Sequence, residues 1–295
     1  MIHYEKCPVC HKAEIHQIGE AIDHTVSHQS FPVVHCHHCS FRFTQDVPEQ
    51  ESIGAYYQSE DYISHSDTQK GIINALYHKV RTITLKAKRK LVVRETGCAT
   101  GKILDIGCGT GAFLHAMKTS GWQVEGLEPD PKAAELSLKL YGITSSHPEN
   151  LFRKEAGNYD AITMWHVLEH VHQLHPYMAE LKKLIKKGGV IFIAVPNYTS
   201  FDARHYKMNW AAYDVPRHLY HFSPESMEVL VAQHGMQIKS IQPMWFDSFY
   251  VSMLSEKNKK GKLGLLSAFW VGWLSNVLAV FNKKKCSSLI YVIGE

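Results

Sequence analysis

Apolar residues Ile72, Ile73, Leu76, Val80, Ile83, Leu85 and Leu91 recur at roughly helical spacing, so a long helix is expected over residues 70–94, with Asp67 or Thr68 as its cap. Lys86, Lys88, Arg89 and Lys90 cluster near its end and read as a solvated helix terminus. The period then changes. Ile103-Leu104-Asp105-Ile106 is the short apolar run of a buried strand, followed by Gly107-Cys108-Gly109-Thr110-Gly111 and by the helix start Ala112-Phe113-Leu114. Val124 to Leu127 forms a second strand ending at the acid Glu128. Further on, Leu263 to Phe281 are 19 positions without a charge, between Lys257, Lys259, Lys260 and Lys262 on one side and Lys283, Lys284 and Lys285 on the other.

Composition narrows the class. With 295 residues, 45% hydrophobic and 20% charged, this is a folded chain of about two domains rather than a disordered or wholly membrane-embedded one. The net charge, 32 − 28 = +4, is too small to argue for nucleic acid. The opening MIHYEKCPVC lacks the regions of a secretory signal, so a cytoplasmic, reducing setting is expected, in which paired cysteines are metal ligands before they are disulfides.

Cys7-Pro-Val-Cys10 and Cys36-His-His-Cys39 are two CxxC units with 25 residues between the inner cysteines. Each turn places two thiolates on one side of a metal, and two turns close a tetrahedral zinc site on a hairpin-like arm, as in zinc ribbons. His11, His37 and His38 stand near enough to compete, but the four cysteines are symmetric without them. Four cysteines leave no open coordination position, so this zinc is expected to be structural.

The glycine turn lets the backbone approach a ligand, and Glu128, about 20 residues on, is suited to gripping two ribose hydroxyls; together they read as a nucleoside-binding βαβ unit. LDIGCGTGAFL resembles the first motif of class I S-adenosylmethionine-dependent methyltransferases. Tyr159 to Val171 is similar to that family's fourth strand and following loop, and Leu181 to Val195 to its next helix and fifth strand. The resemblance implies a Rossmann-like seven-stranded α/β sheet with an antiparallel last strand. It implies a cofactor site at Asp105, Gly107, Gly109, Gly111, Glu128 and Trp165. His147, Glu149 and Asn150 are candidates beside the adenine. The antiparallel strands are expected at Ile238 to Pro243 and Ser288 to Ile293.

Methyl transfer is an in-line displacement, so the base that takes the acceptor's proton is sought beyond the fourth and fifth strands. His166, Glu169 and His170 share one face if their loop is helical, and His166 is the first choice as a neutral imidazole. The same three residues can instead hold the loop and sheet together. In the quinone-precursor O-methyltransferases that the loop also resembles, an acid and a Glu-His pair bind a divalent metal, but here His166 stands in place of the first acid. Trp210, Tyr213, Arg217 and His218 lie in a histidine-rich loop where an acceptor pocket belongs, with Arg217 available for a carboxylate or phosphate.

These readings divide the chain into a zinc-ribbon-like domain (1–48), a helical connection or lid (49–95) and an S-adenosylmethionine-binding domain (96–295) with a helical insertion at about 244–286. Residues 263–281 have the length of a transmembrane span, but strands pair on both sides of them. They are therefore expected to form a cover over the acceptor pocket or a homodimer contact, or to lie shallowly on the inner face of a membrane. The expected function is methylation of a small-molecule or lipid-like acceptor at oxygen or carbon. An rRNA methyltransferase is disfavoured by Met164-Trp165-His166-Val167 where an Asn/Asp-Pro-Pro-aromatic motif would stand, and a non-catalytic cofactor-binding module is the remaining alternative.

Overall fold

The computed structural model describes residues 1–58 and 72–295. Asp67 and Thr68 lie outside the described residues. The expected long helix is α1 (Ile72–Thr96), followed by β4 (Lys102–Ile106), α2 (Ala112–Lys118), β5 (Gln123–Leu127), α3 (Pro131–Tyr141) and β6 (Ser145–Ser146). Then come β7 (Tyr159–Trp165), α4 (Leu174–Leu184), β8 (Ile185–Pro196) and α5 (Phe201–Tyr206). After β9 (Tyr220–His221), α6 (Pro224–Gln233) and β10 (Gln237–Pro243), two helices, α7 (Asp247–Lys260) and α8 (Leu265–Phe281), precede the last strand β11 (Ser288–Gly294).

Seven strands form one sheet in the order β10-β11-β8-β7-β4-β5-β6. β6, β5, β4, β7 and β8 run parallel, whereas β11 is antiparallel to both β8 and β10. This is the expected methyltransferase-type α/β sheet. Helices cover both faces of β4, β7 and β8, which is why these strands read as nearly unbroken apolar runs. The chain order reverses beside β4, so the loops after β4, β5 and β7 open a crevice at the carboxyl ends of the strands.

The N-terminal arm is a second sheet, β1 (Ile15–Ile22), β2 (Ser30–Cys36) and β3 (Arg42–Thr44), and its fourth strand is β9 from the other side of the chain. Arg42 pairs with His221 and Phe43 with Tyr220. An arm of about 40 residues is too small to bury a core alone. Here Phe41 and Phe43 share one apolar cluster with Leu219, Tyr220 and Phe222 and with Leu104 and Ile162 of the large sheet.

Arg217 locks this junction. It is 1% exposed, and its guanidinium donates to Asp214 (3.0 and 2.5 Å), to Asp23 Oδ1 (3.1 Å), to Thr25 Oγ1 (3.2 Å) and to the carbonyl of Tyr56 (2.9 Å). Asp23 in turn accepts the backbone N–H groups of Thr25, Val26 and Ser27, so the β1–β2 turn is organised around the same carboxylate. The insertion is fixed by a second buried acid. Asp202 accepts from Trp210 Nε1 (2.8 Å), Ser275 Oγ (2.7 Å) and Ser287 Oγ (2.7 Å), tying α5 to α8 and to the start of β11.

Arg217→Ala leaves Asp23 a buried carboxylate without its cation and takes the same partner from half-buried Asp214. It is expected to lower stability by about 3–5 kcal/mol, read as a fall in the urea midpoint; a midpoint within error of wild type would show that the clamp is dispensable.

Candidate functional site

The turn after β4 is shaped for close backbone approach. Gly107 and Gly111 have φ of +71° and +77°, and a Cβ on either would lie 2.4 Å from Val167 and 2.2 Å from Ser137 Oγ, so larger residues fit neither the backbone nor the space. At Gly109 a Cβ would meet nothing within 4 Å, so the middle of the turn faces an open side. Glu128, at the end of β5, accepts the N–H of Gly109 (2.7 Å) and of Asp130 (2.9 Å), which aims its carboxylate across the mouth of the turn. Burial raises its pKa above the ordinary carboxylate value. Of the residues expected beside the adenine, His147 and Glu149 are exposed and Asn150 is half-buried, all just beyond β6.

Behind the turn lies a chain of alternating charges. Asp105 is fully buried, accepts from Thr163 Oγ1 (2.6 Å), and is raised to about 7 by burial, with Thr163 and Lys88 pulling the other way. Lys88 Nζ sits 4.3 Å from the centre of the Trp165 ring. Burial lowers its pKa, while Asp247 and Asp105 oppose that shift. The expectation of a solvated basic cluster is therefore corrected at Lys88, whose side chain turns inward. Lys88 falls three residues after Leu85 and four before Val92, both packed in the adjoining core, so helical spacing was the signal that placed it on the apolar face. Trp165 also meets Phe113 edge-on at 5.3 Å, and its buried Nε1 has no partner.

His166 adopts a left-handed backbone, φ +58°, uncommon for a residue with a side chain. Its Nδ1 lies 3.3 Å from Glu169 Oε1 and its Nε2 3.0 Å from Asp247 Oδ2. Burial disfavours the charged ring, but the two carboxylates outweigh it and raise the pKa to about 9. The expected neutral imidazole is thus corrected: His166 is an imidazolium bridging two acids. Asp247, the first residue of α7, gave no signal in the sequence. Its partnership exists only because α7 packs over the end of β7.

The neutral ring is that of His170. Its Nδ1 lies 3.0 Å from the carbonyl of Arg217 and 3.0 Å from Tyr57 Oη. A carbonyl only accepts, so the proton is on Nδ1 and the Nε2 lone pair is free of it. Burial and the neighbouring His218 lower the pKa to about 4. Glu169, His170 and His218 bring ligand atoms within 4.8 Å of one another, and Glu169 Oε2 is buried without a hydrogen-bond partner among the described residues. The helical face expected for residues 166–170 is a short 3-10 turn, Leu168–His170, so His166 and His170 point apart and His218 takes the third place.

A model of the methyltransferase domain family matches residues 78–241, more than half of the chain. This chain belongs to the methyltransferase-domain family, and it is an S-adenosylmethionine-dependent methyltransferase. Ubiquinone biosynthesis O-methyltransferase from Xanthomonas oryzae pv. oryzae is 25% identical over 163 residues, 50% of this chain and 68% of that protein. The enzyme of the same name from Paraburkholderia xenovorans is 35% identical over 106 residues, 33% of this chain and 46% of that one. Among solved structures, magnesium protoporphyrin IX methyltransferase from Synechocystis PCC 6803 aligns with a TM-score of 0.55 at 12% identity, covering 83% of this chain and 99% of that one. A methyltransferase from Archaeoglobus fulgidus aligns with a TM-score of 0.51 at 18% identity, covering 76% and 100%. These likenesses establish the fold.

In this methyltransferase the loop expected to hold an acceptor is largely committed to structure. Arg217 spends its donors on the interdomain clamp, which corrects its expected role toward an acceptor anion. Trp210 is buried with its Nε1–H on Asp202, and Tyr213 is buried with its hydroxyl accepting from Arg42 at 2.8 Å. Both are therefore corrected to packing residues. His218 is the one member of the four that reaches the polar cluster. Its Nδ1 is held by the carbonyl of Ala212 at 2.8 Å.

The cysteines behave as a set. The four sulfurs of Cys7, Cys10, Cys36 and Cys39 lie within 4.8 Å of one another, with Cys7–Cys39 at 3.6 Å and Cys10–Cys36 at 3.5 Å. These spacings are far beyond a disulfide bond and close to the ~3.8 Å edge of a sulfur tetrahedron with ~2.3 Å metal–sulfur bonds. His37 is exposed and stacks on His16, and His11 packs against His175, so neither ring enters the set.

Because the folded pKa of His166 lies above the unfolded ~6.5, its ion pairs stabilise the protein fully below that pH, and the contribution is lost as pH rises through about 9. Imidazole NMR of labelled protein is expected to show one histidine titrating near 9, and Asp247→Asn to bring it back toward neutrality. A His166 that already titrates near 6.5 in the wild type would sink this reading.

Proposed function

We propose that this methyltransferase methylates an oxygen or carbon of a small-molecule or lipid-like acceptor, and that the N-terminal cysteines hold a structural zinc. The observation that carries the first part is the meeting of a glycine cradle and Glu128 with the Glu169, His170 and His218 cluster, in which Glu169 is buried and the two histidines are half-buried, at the carboxyl ends of the parallel strands. Bound S-adenosylmethionine would lie along Gly107 to Gly111 with its ribose on Glu128, and supplies an electrophilic methyl group. The chain's own residues then have separable tasks. Lys88 and Trp165 close the floor of the site against water. The imidazolium of His166, pinned by Asp247 and Glu169, fixes the orientation of the Glu169 carboxylate. His170 presents a neutral Nε2, and with Glu169 Oε2 and His218 it forms a polar wall able to hold an acceptor hydroxyl and receive its proton. The same three groups suit a divalent cation of the nitrogen-and-oxygen-ligand type, which would acidify that hydroxyl. The names of the curated relatives make a hydroxylated quinone precursor the first acceptor to try.

The zinc reading rests on four sulfurs at tetrahedral spacing, and zinc would join the Cys7–Cys10 turn to the Cys36–Cys39 turn at the edge of β2. Thiolates at this distance repel one another unless a cation sits between them, and a buried set of four is the donor chemistry that zinc prefers.

Calorimetry is expected to show S-adenosylmethionine binding that Glu128→Ala weakens about 10- to 150-fold, the loss of hydrogen bonds to a charged group, with circular dichroism unchanged. His170→Ala and Glu169→Gln are expected to retain cofactor affinity but to lower kcat with labelled methyl donor and a catechol acceptor panel. Cofactor binding without turnover on any acceptor would favour the non-catalytic module, and salt-sensitive RNA binding the rRNA reading. Metal analysis is expected to find one zinc per chain; Cys39→Ser should lose it and lower the melting temperature, and a wild type without zinc would remove that part of the proposal.

A further inference from the structure

Helix α8 is arranged the wrong way round for a soluble helix. Its inward face is mostly small residues, Ala268, Gly272, Ser275 and Ala279, with Val271 the largest side chain on it, all buried. Gly272 lies so close to α7 that a Cβ there would come within 3.0 Å of the backbone of Phe249. Its outward face carries the large ones: Leu266 (81% exposed), Phe269, Trp270 (61%), Trp273, Val280 and Phe281 (84%). These recur at helical spacing, so they form one stripe along about 25 Å of helix. Phe269, Trp270 and Trp273 touch ring to ring at 6.2 and 5.5 Å. A stripe of this kind is larger than scattered surface hydrophobes explain.

The charges say what covers it. Lys259 and Lys262 lie at one end and Lys283, Lys284 and Lys285 at the other, with no acidic residue between Leu263 and Phe281. Lys260 is already paired with Glu256 at 2.6 Å. Lys285 also lines a groove of about 500 Å³ with Arg204 and Lys207, so the cationic surface continues past the end of the helix. A second copy of this chain fits poorly. An antiparallel pairing of α8 sets the lysines before one helix against those after the other, and a parallel pairing sets each cluster against itself. An extended anionic surface meets both clusters at once. Among the described residues no helix is long and apolar enough to cross a membrane, which leaves α8 to lie in the plane of the interface, with Trp and Phe among the acyl chains and lysines at the headgroups.

We infer that α8 docks this protein onto the surface of an anionic lipid bilayer. The inference does not depend on the methyl-transfer reading. It nonetheless has a consequence for it: α8 packs on α7, whose first residue, Asp247, holds His166, so a docked helix places the polar site a short distance above the lipid.

The test is flotation of the full chain with vesicles of phosphatidylcholine alone and of phosphatidylcholine mixed with phosphatidylglycerol. Binding is expected to the mixed vesicles, with a blue shift of tryptophan emission, and to weaken as salt is raised. Replacing Lys283, Lys284 and Lys285 by Gln is expected to reduce partitioning about a hundredfold, at the usual worth of a lysine near an anionic surface. Trp270→Glu combined with Phe281→Glu is expected to abolish it while the thermal melt stays unchanged, since both side chains are exposed. Failure to float with either vesicle overturns the inference. So does equal binding to both vesicles, or a dimer by light scattering that Trp270→Glu dissolves.

Discussion

One buried guanidinium organises most of this molecule. The Arg217 side chain joins Asp23 of the N-terminal arm to Asp214 of the loop after α5, while its backbone carbonyl fixes the Nδ1 proton of His170. Two residues on, the N–H of Leu219 bonds the carbonyl of Glu169 at 2.8 Å, and Tyr220 and His221 then pair with β3. A cation so deeply buried is tolerable only with its charges matched and its donors filled, and meeting that requirement fixes where the arm, the loop and the polar cluster stand relative to one another. The arm is therefore part of the scaffold of the site.

The second feature is the way buried charge is neutralised in sequence, from Asp105 through Lys88 and Asp247 to His166 and Glu169. No one of these groups is stable in an apolar surrounding by itself, and each is matched by a neighbour from a different element. Such a network has an asymmetric result. It spends His166 as a cation and leaves His170, which has no acid within hydrogen-bonding distance among the described residues, as the neutral ring with a free lone pair. The division of roles between two histidines four residues apart follows from which partners the fold brings to each.

The insertion between β10 and β11 takes part in both ends of this arrangement. The first residue of its first helix, Asp247, completes the charge network, and its second helix carries an apolar stripe outward. Asp202, with three donors from Trp210, Ser275 and Ser287, explains how a helix whose inner face is mostly small residues, with Val271 its largest, is held: by hydrogen bonds to one buried carboxylate, by close approach at Gly272 and by the packing of Val271.

What the sequence determined by itself was whatever is encoded locally. The order of strands, the glycine turn with Glu128 at the next strand end, the two CxxC units and the long helix all depend on periodicity or on residues close in the chain, and all are legible there. The tertiary structure decided whatever depends on contacts between distant segments. Arg217 looked like an acceptor ligand because its loop position is right, and it became a clamp because Asp23, 194 residues away, meets it. His166 looked like a neutral base because nothing near it in the chain foretells Asp247. Lys88 looked solvated because its neighbours are, and it turned inward over the ring of Trp165, where the charges of Asp105 and Asp247 favour its ammonium. A side chain's charge state and availability are set by its surroundings in space, and a linear pattern specifies those only where space and sequence coincide.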